Sequence, residues 1–455
     1  MTGGRLAGMA EAPGEPMGAP LTASLSPWRM VVGLGFVSLA ADMVADGGKS
    51  ILGPYLGSLG ASALVIGVVM GAAEAISLIL RLVAGPRADR SGNHWSWTIV
   101  GYALSAVCFP LLAVAPELGS AGLAVAVTLI LVERVGKAVR SPSKTALLAH
   151  AAGAVGRGRG FGVHKTLDLV GATAGPLLVA AVIAATGATQ PAFLALVVPG
   201  IATMVLLVWL RRRVPDPSIY DGSRADDDTQ PAPAADAARP AEAGSAAPTP
   251  APAHPESSGV RRWWAATVGS GLPREFFLFA GASGLITAGL VSYGISTYHL
   301  VRANLVPLAG VPLVFAGAMG VAALAALATG AVYDRRGPAV LLVLPLLVAV
   351  VPPLVLGNGL GWALAGMACW GAAVGIQDAT VKALVADLVP STRRATAYGV
   401  FAAVQGVAAL AGGVVIGALY GVSVPWLTVF VAVCQVAALA LLVVVLRGRA
   451  HASAL

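Results

Sequence analysis

Asp42, Asp46 and Lys49 stand four and three residues apart in a run that is otherwise apolar, and on a helix that spacing lines all three along one face. Glu74 and Arg81 lie seven apart in the next apolar run, His164, Lys165 and Asp168 fall in a later one, and Gln377 and Asp378 fall in another. His164 and Asp168, four apart, share a face. A carboxylate or imidazole held in apolar surroundings is a group that takes up or releases a proton as its access to water changes. Asp42 and Glu74 are therefore the first candidates for proton coupling, and Asp46, Arg81, Lys165 and Asp168 are further charged positions of the same cavity. The competing role is structural, with Lys49, Arg81 or Lys165 paired to these acids to hold helices together. For Asp46, Asp168 and Asp378 that role leads.

Glu133, Arg134, Lys137 and Arg140 read as a network at the inner end of their helix rather than as a substrate site. Tyr293, Tyr298 and His299 either line a cavity or anchor a helix end at the membrane interface. No His-Glu-x-x-His pair, phosphate-cradling loop or nucleophile motif is found, so an enzyme is the weakest reading. Neither a metal nor a cofactor is expected, only a proton gradient as energy source. Cys108, Cys369 and Cys434 each lie in an apolar run with no evident pair.

Composition dictates the elements that must position these groups. Apolar residues make up 57% and charged residues 11% of the 455, with a mean hydropathy of +0.82, which requires a lipid solvent. A helix needs roughly 20 apolar residues to cross the hydrocarbon. Twelve such stretches are expected, near 28–54, 62–84, 95–115, 119–139, 160–185, 190–210, 275–300, 308–332, 338–356, 360–382, 395–419 and 424–446. At ~1.5 Å per residue, Asp42 lies about 21 Å from Trp28 and Glu74 about 18 Å from Ser62, so both acids reach the central region from opposite surfaces.

The net charge of +8 points to membrane orientation rather than to nucleic acid, because with an inner N-terminus only Arg302 falls in an outer loop. Both termini are expected in the cytoplasm and the protein in the inner membrane. Residues 1–27 lack an apolar core and read as a disordered tail, and 447–455 as a short C-terminal tail. Residues 211–262 open with Arg211, Arg212 and Arg213 and continue as a Pro, Ala and Asp mixture that cannot bury a core. They read as a tether between bundles at 28–210 and 263–446, closing with Arg261, Arg262, Trp263 and Trp264 at headgroup level.

The halves repeat. Gly85, Asp89, Arg90 and Gly92 recur at the same spacing as Gly330, Asp334, Arg335 and Gly337; ALLAH at 146–150 and ALVAD at 383–387 are each followed at one spacing by Gly162 and Gly399. On these residues the chain resembles the major facilitator superfamily, all-α membrane proteins of two six-helix bundles. In that family a Gly-x-x-x-Asp-Arg-x-Gly loop latches the inner side of the outward-facing state. The resemblance implies that role for Gly85, Asp89, Arg90 and Gly92, and more weakly for Gly330, Asp334, Arg335 and Gly337. The family's usual basic pair is replaced by Asn93 and His94. Gly171, Gly175 and Pro176 resemble the start of a pattern found in proton-driven exporters, although small residues four apart also serve helix packing in general.

Together these features predict a secondary transporter that exchanges a small organic compound for protons by rocking its halves around a central site, working as a monomer. The acids of the first two spans would couple protons and attract a cationic solute. The alternatives are a proton-driven uptake symporter for a polar nutrient and a membrane sensor of the same fold.

Overall fold

The computed structural model describes residues 25–221, 272–390 and 393–452. The expected N-terminal tail, most of the linker and the Arg261 to Trp264 anchor lie outside the described residues. Within them every regular element is helical.

Ser26 caps α1 (Pro27–Lys49) by accepting from the Arg29 N–H, with Pro27 at the first helical position. After a break at Ser50 and Ile51 the chain resumes as α2 (Leu52–Ser58). Gly60, at φ +85°, turns it toward Ser62, which caps α3 (Ala63–Ser91). Then follow α4 (His94–Leu111), α5 (Gly122–Val155), α6 (Arg157–Thr186), α7 (Thr189–Ala195) and α8 (Val197–Arg213). The second half comprises α9 (Arg274–Gly289), α10 (Tyr293–Arg302), α11 (Val311–Arg336), α12 (Val343–Val355), α13 (Leu360–Leu388), α14 (Arg394–Val422) and α15 (Val424–Ala452).

Ten helical stretches among the described residues are long and apolar enough to cross a bilayer. Two of them, His94–Val155 and Leu308–Val355, run 62 and 48 residues. A straight helix of the longer length would exceed the hydrocarbon about threefold. The longer one folds back instead, with Gly119 at φ 54° and ψ −123° between α4 and α5, which then pack with Gly101 on Gly136. In the other, Gly337 at φ 70° separates α11 from the turn leading to α12.

Tyr220 donates to the Leu25 carbonyl at 2.9 Å and His150 lies 2.7 Å from Asp221. The start of α1 and the chain leaving α8 therefore meet at one end of the bundle, here called the basic end, where Arg87, Arg90 and Arg211 to Arg213 also sit. Of the residues expected to begin the tether, those up to Arg213 continue α8 and Pro217–Tyr220 form a short 3-10 turn with Tyr220 buried. Asp216 accepts from the Ser218 N–H at 2.9 Å, which holds its carboxyl below the usual range.

Glycine stripes bring helices together backbone to backbone. Gly171 and Gly175 of α6 abut the backbone of Leu39 and Met43 in α1, and Gly412 of α14 abuts Ala288 of α9 in the same way in the other half. Between the halves, Gly67 and Gly71 of α3 lie on Gly413, Gly417 and Ala409 of α14, a seam that continues to Leu82 against Gly399. At the end opposite the basic one the halves also meet through Gly53 on Gly294 and Gly57 on Tyr298.

Candidate functional site

The repeated Gly-x-x-x-Asp-Arg-x-Gly segments are not loops but the last turns of α3 and α11. Gly85 and Gly330 do not turn the chain, because a single Gly costs a helix only about 1 kcal/mol, too little to end one packed on its neighbours. The terminal Gly92 and Gly337, at φ 60° and 70°, do the turning. Asp89, Arg90, Asp334 and Arg335 are exposed. Among the described residues none of the four makes an ion pair or side-chain hydrogen bond.

Charged groups inside the N-terminal half form two tiers. The tier nearer the basic end is assembled by the α1–α6 glycine contact. Seating Gly171 on Leu39 places Asp168, one turn earlier on α6, against Asp42 on α1, and the two carboxyl groups lie within reach of each other. Two carboxyl groups so placed can hydrogen-bond to each other only while one of them carries a proton. Lys165 Nζ donates to Asp168 Oδ2 at 2.6 Å, and Lys144 Nζ of α5 lies 3.8 Å from Oδ1. Lys144 also donates to Ser38 Oγ at 3.1 Å, which stands 3.3 Å from both Tyr102 Oη and His164 Nε2. His164 is buried and its Nδ1 has no partner among the described residues.

The second tier lies closer to the middle of the bundle. Glu133 and Arg134 are 1% and 5% exposed and 3.5 Å apart. Ser105 donates to Glu133 at 3.0 Å and accepts from Arg140, whose guanidinium stacks 4.5 Å from the Tyr102 ring centre. These residues were expected at a helix end; the expectation is corrected because α5 continues past Pro142 to Val155. Counted from Gly122 at ~1.5 Å per residue, Glu133 and Lys137 lie about 16 and 22 Å in. Glu74 is surrounded by the charges of Lys49, Arg134, Lys137 and Arg81, and Lys137 by those of Lys49, Asp46 and Glu133. Arg81 donates to Ser77 at 3.3 Å and senses Glu74 and, from the opposite half, Asp378.

Glu74 and Asp378 are exposed although each stands inside a span. A carboxylate facing lipid there is costly, by about 2.5 kcal/mol or more. The charges around Glu74 and the relation of Arg81 to Asp378 across the halves place both acids instead at the boundary between the bundles. Lys49 reaches that boundary too, 5.8 Å from the Phe315 ring centre of α11.

The C-terminal half offers mostly neutral groups. Gln377 donates to Thr287 at 2.8 Å and Trp370 to the Val291 carbonyl at 3.0 Å. Tyr293 is buried between the rings of Phe315 and Trp370. His299 meets the Tyr420 hydroxyl at 2.8 Å, and Tyr298 packs on the same ring. These aromatics, expected to line a cavity or anchor an interface, seal the end opposite the basic one. Among the described residues no group of His, Cys, Asp and Glu could hold a metal ion.

This arrangement, two helical halves with charged groups at their boundary, has known counterparts. The family model of the Major Facilitator Superfamily matches residues 34–412 and 279–454. The chain belongs to this superfamily. An uncharacterised protein of Mycobacterium tuberculosis is 44% identical over 421 residues, 92% of this chain and 93% of its own. An uncharacterised transporter of the superfamily from Methanocaldococcus jannaschii is 32% identical over 146 residues, 32% of this chain and 35% of its own. Among solved structures, a mutant of the nucleoside transporter NupG aligns with a TM-score of 0.65 at 13% identity, covering 92% of this chain and 99% of that one. A POT family transporter in complex with 5-aminolevulinic acid aligns with a TM-score of 0.62 at 12% identity, covering 92% and 95%. The fold is that of membrane transporters in this superfamily.

Sequence reasoning selected Asp42, Asp46, Glu74, Arg81, Lys165 and Asp168, and the structure divides them between the two tiers. It did not select Ser38, Tyr102 or Lys144. A signal for the last was present: Arg134, Lys137, Arg140 and Lys144 recur every three or four residues, a basic stripe along one helix.

Proposed function

We propose that the protein is a proton-coupled secondary transporter that exports a small organic solute by alternating access, with its basic end and both termini in the cytoplasm. The Asp42–Asp168 pair carries this reading. One proton lets the two acids stay in contact; its loss leaves two adjacent carboxylates, whose repulsion is relieved by drawing in Lys144 or by parting α1 from α6. Protonation thus couples to helix position, and the tier lies where the exposed Lys165 gives water access. Export is favoured by the likeness of Gly171, Gly175 and Pro176 to the exporter pattern. These glycines also set the contact that holds the acid pair.

The test is flux in proteoliposomes under imposed pH gradients of both signs, using solutes selected by thermal stabilisation of the purified protein. Export predicts solute movement opposite to proton flow, and Asp42→Asn uncouples the two. Flux in the same direction as protons overturns export, and full gradient-driven flux in Asp42→Asn overturns the role of the pair.

A further inference from the structure

We infer that the transported solute is an anion, bearing a carboxylate or phosphate, and that Lys49 and Lys137 bind its acidic group. The inference rests on the transport reading of the central space and names what that space accepts.

The charge inside the N-terminal half is unbalanced toward the bases. In the tier nearer the basic end, Lys144 and Lys165 face Asp42 and Asp168, two bases for two acids. In the other tier, the five bases Lys49, Arg81, Arg134, Lys137 and Arg140 face the three acids Asp46, Glu74 and Glu133. Asp378 reduces the excess from the opposite half without cancelling it. A surplus of positive charge facing the boundary between the bundles attracts an anion and repels a cation.

Most of these bases are already engaged. Lys144 and Lys165 hold Asp168, Arg134 holds Glu133, Arg140 holds Ser105 and stacks on Tyr102, and Arg81 donates to Ser77. Lys49 and Lys137 differ. Among the described residues neither has a carboxylate within 4.0 Å or a side-chain hydrogen bond, and both are partly exposed. They approach from α1 and α5 at a similar depth, close enough to sense each other. Lys49 stands against the Phe315 ring of the other half, so an anion held here touches the boundary that must rearrange when access changes. The cationic solute expected from the acids of the first two spans is replaced because the basic stripe of α5 lies mid-bundle rather than at a helix end.

The experiment measures binding to the purified full-length protein in detergent at one pH, with no gradient, so that a failure of proton coupling does not affect it. Benzoate, succinate, glycerol 3-phosphate and inorganic phosphate are compared with benzylamine and putrescine by thermal shift and calorimetry. At least one anion is expected to bind at least tenfold more tightly than either amine. Lys49→Gln and Lys137→Gln are each expected to weaken that anion at least tenfold, while Lys49→Arg and Lys137→Arg retain it within a few-fold. Binding by inorganic phosphate as tight as by the organic anions places recognition in the acidic group alone, and preference for benzoate or succinate places it in a carboxylate. Amines that bind as well as every anion, Gln variants that bind like the unchanged protein, or Arg variants that lose as much as the Gln variants overturn the assignment.

Discussion

The carboxyl of Asp42 on α1 faces the carboxyl of Asp168 on α6, the two within reach of each other across more than a hundred residues of sequence. The two acids are not equivalent. Asp168 also receives Lys165 and Lys144, whereas Asp42 borders them. Asp42→Asn keeps a donor toward Asp168 and is expected to change stability by less than about 1 kcal/mol. Asp168→Asn leaves Lys144 without its carboxylate and is expected to cost roughly 3 kcal/mol. Thermal unfolding in detergent decides it: equal losses in the two variants would contradict the asymmetry.

The same contact depends on the α6 glycines. Gly171→Leu places a side chain against the Leu39 backbone and is expected to destabilise by roughly 1–3 kcal/mol, by forcing α1 and α6 apart. Gly162, with nothing within 4 Å of its missing side chain, is the control. Gly162→Ala should leave the melting temperature unchanged or slightly raised. If Gly171→Leu also melts normally, the helices do not meet at this stripe.

Glu133→Gln removes the carboxylate that stands 3.5 Å from Arg134 in an almost fully buried position. Breaking a buried pair from one side is expected to cost about 3 kcal/mol or more. A melting temperature within a degree of the unchanged protein would place Glu133 in water, as its expected position at a helix end would have done.

Tyr220→Phe deletes the hydrogen bond that ties the start of the interdomain segment to Leu25. A loss of about 1 kcal/mol in local stability is expected. Tryptic cleavage after Arg213 should accelerate several-fold while global unfolding stays put. Identical cleavage rates would mean that the hydroxyl contributes nothing to docking.

Much of this architecture could be read before any coordinates, because each of the twelve expected apolar stretches overlaps a helix and the repeats fall at corresponding helix ends. Helix extents could not be read as well. Hydropathy registers where lipid is, whereas a helix continues wherever its backbone hydrogen bonds and packing continue. Residues 140–155 of α5 are polar enough to look like a loop, yet Gly101 and Gly136 hold α4 and α5 together and carry the helix on. That one extension moved Glu133, Arg134 and Lys137 inward and hid Lys144. Asp168 was visible as an ionisable residue in an apolar run, but its partner was not. Only the glycine contact between α1 and α6 sets which face of each helix the other meets.

The seam between α3 and α14 has a mechanical consequence. Gly67 and Gly71 touch Gly413, Gly417 and Ala409 through backbone atoms, so little side-chain interdigitation must be undone for one bundle to roll over the other. Ridges seated in grooves resist sliding, while smooth surfaces in close contact allow it at small energetic cost. This line of glycines acts as a bearing. Bulk added to it would stiffen the joint without touching any group that binds solute or proton.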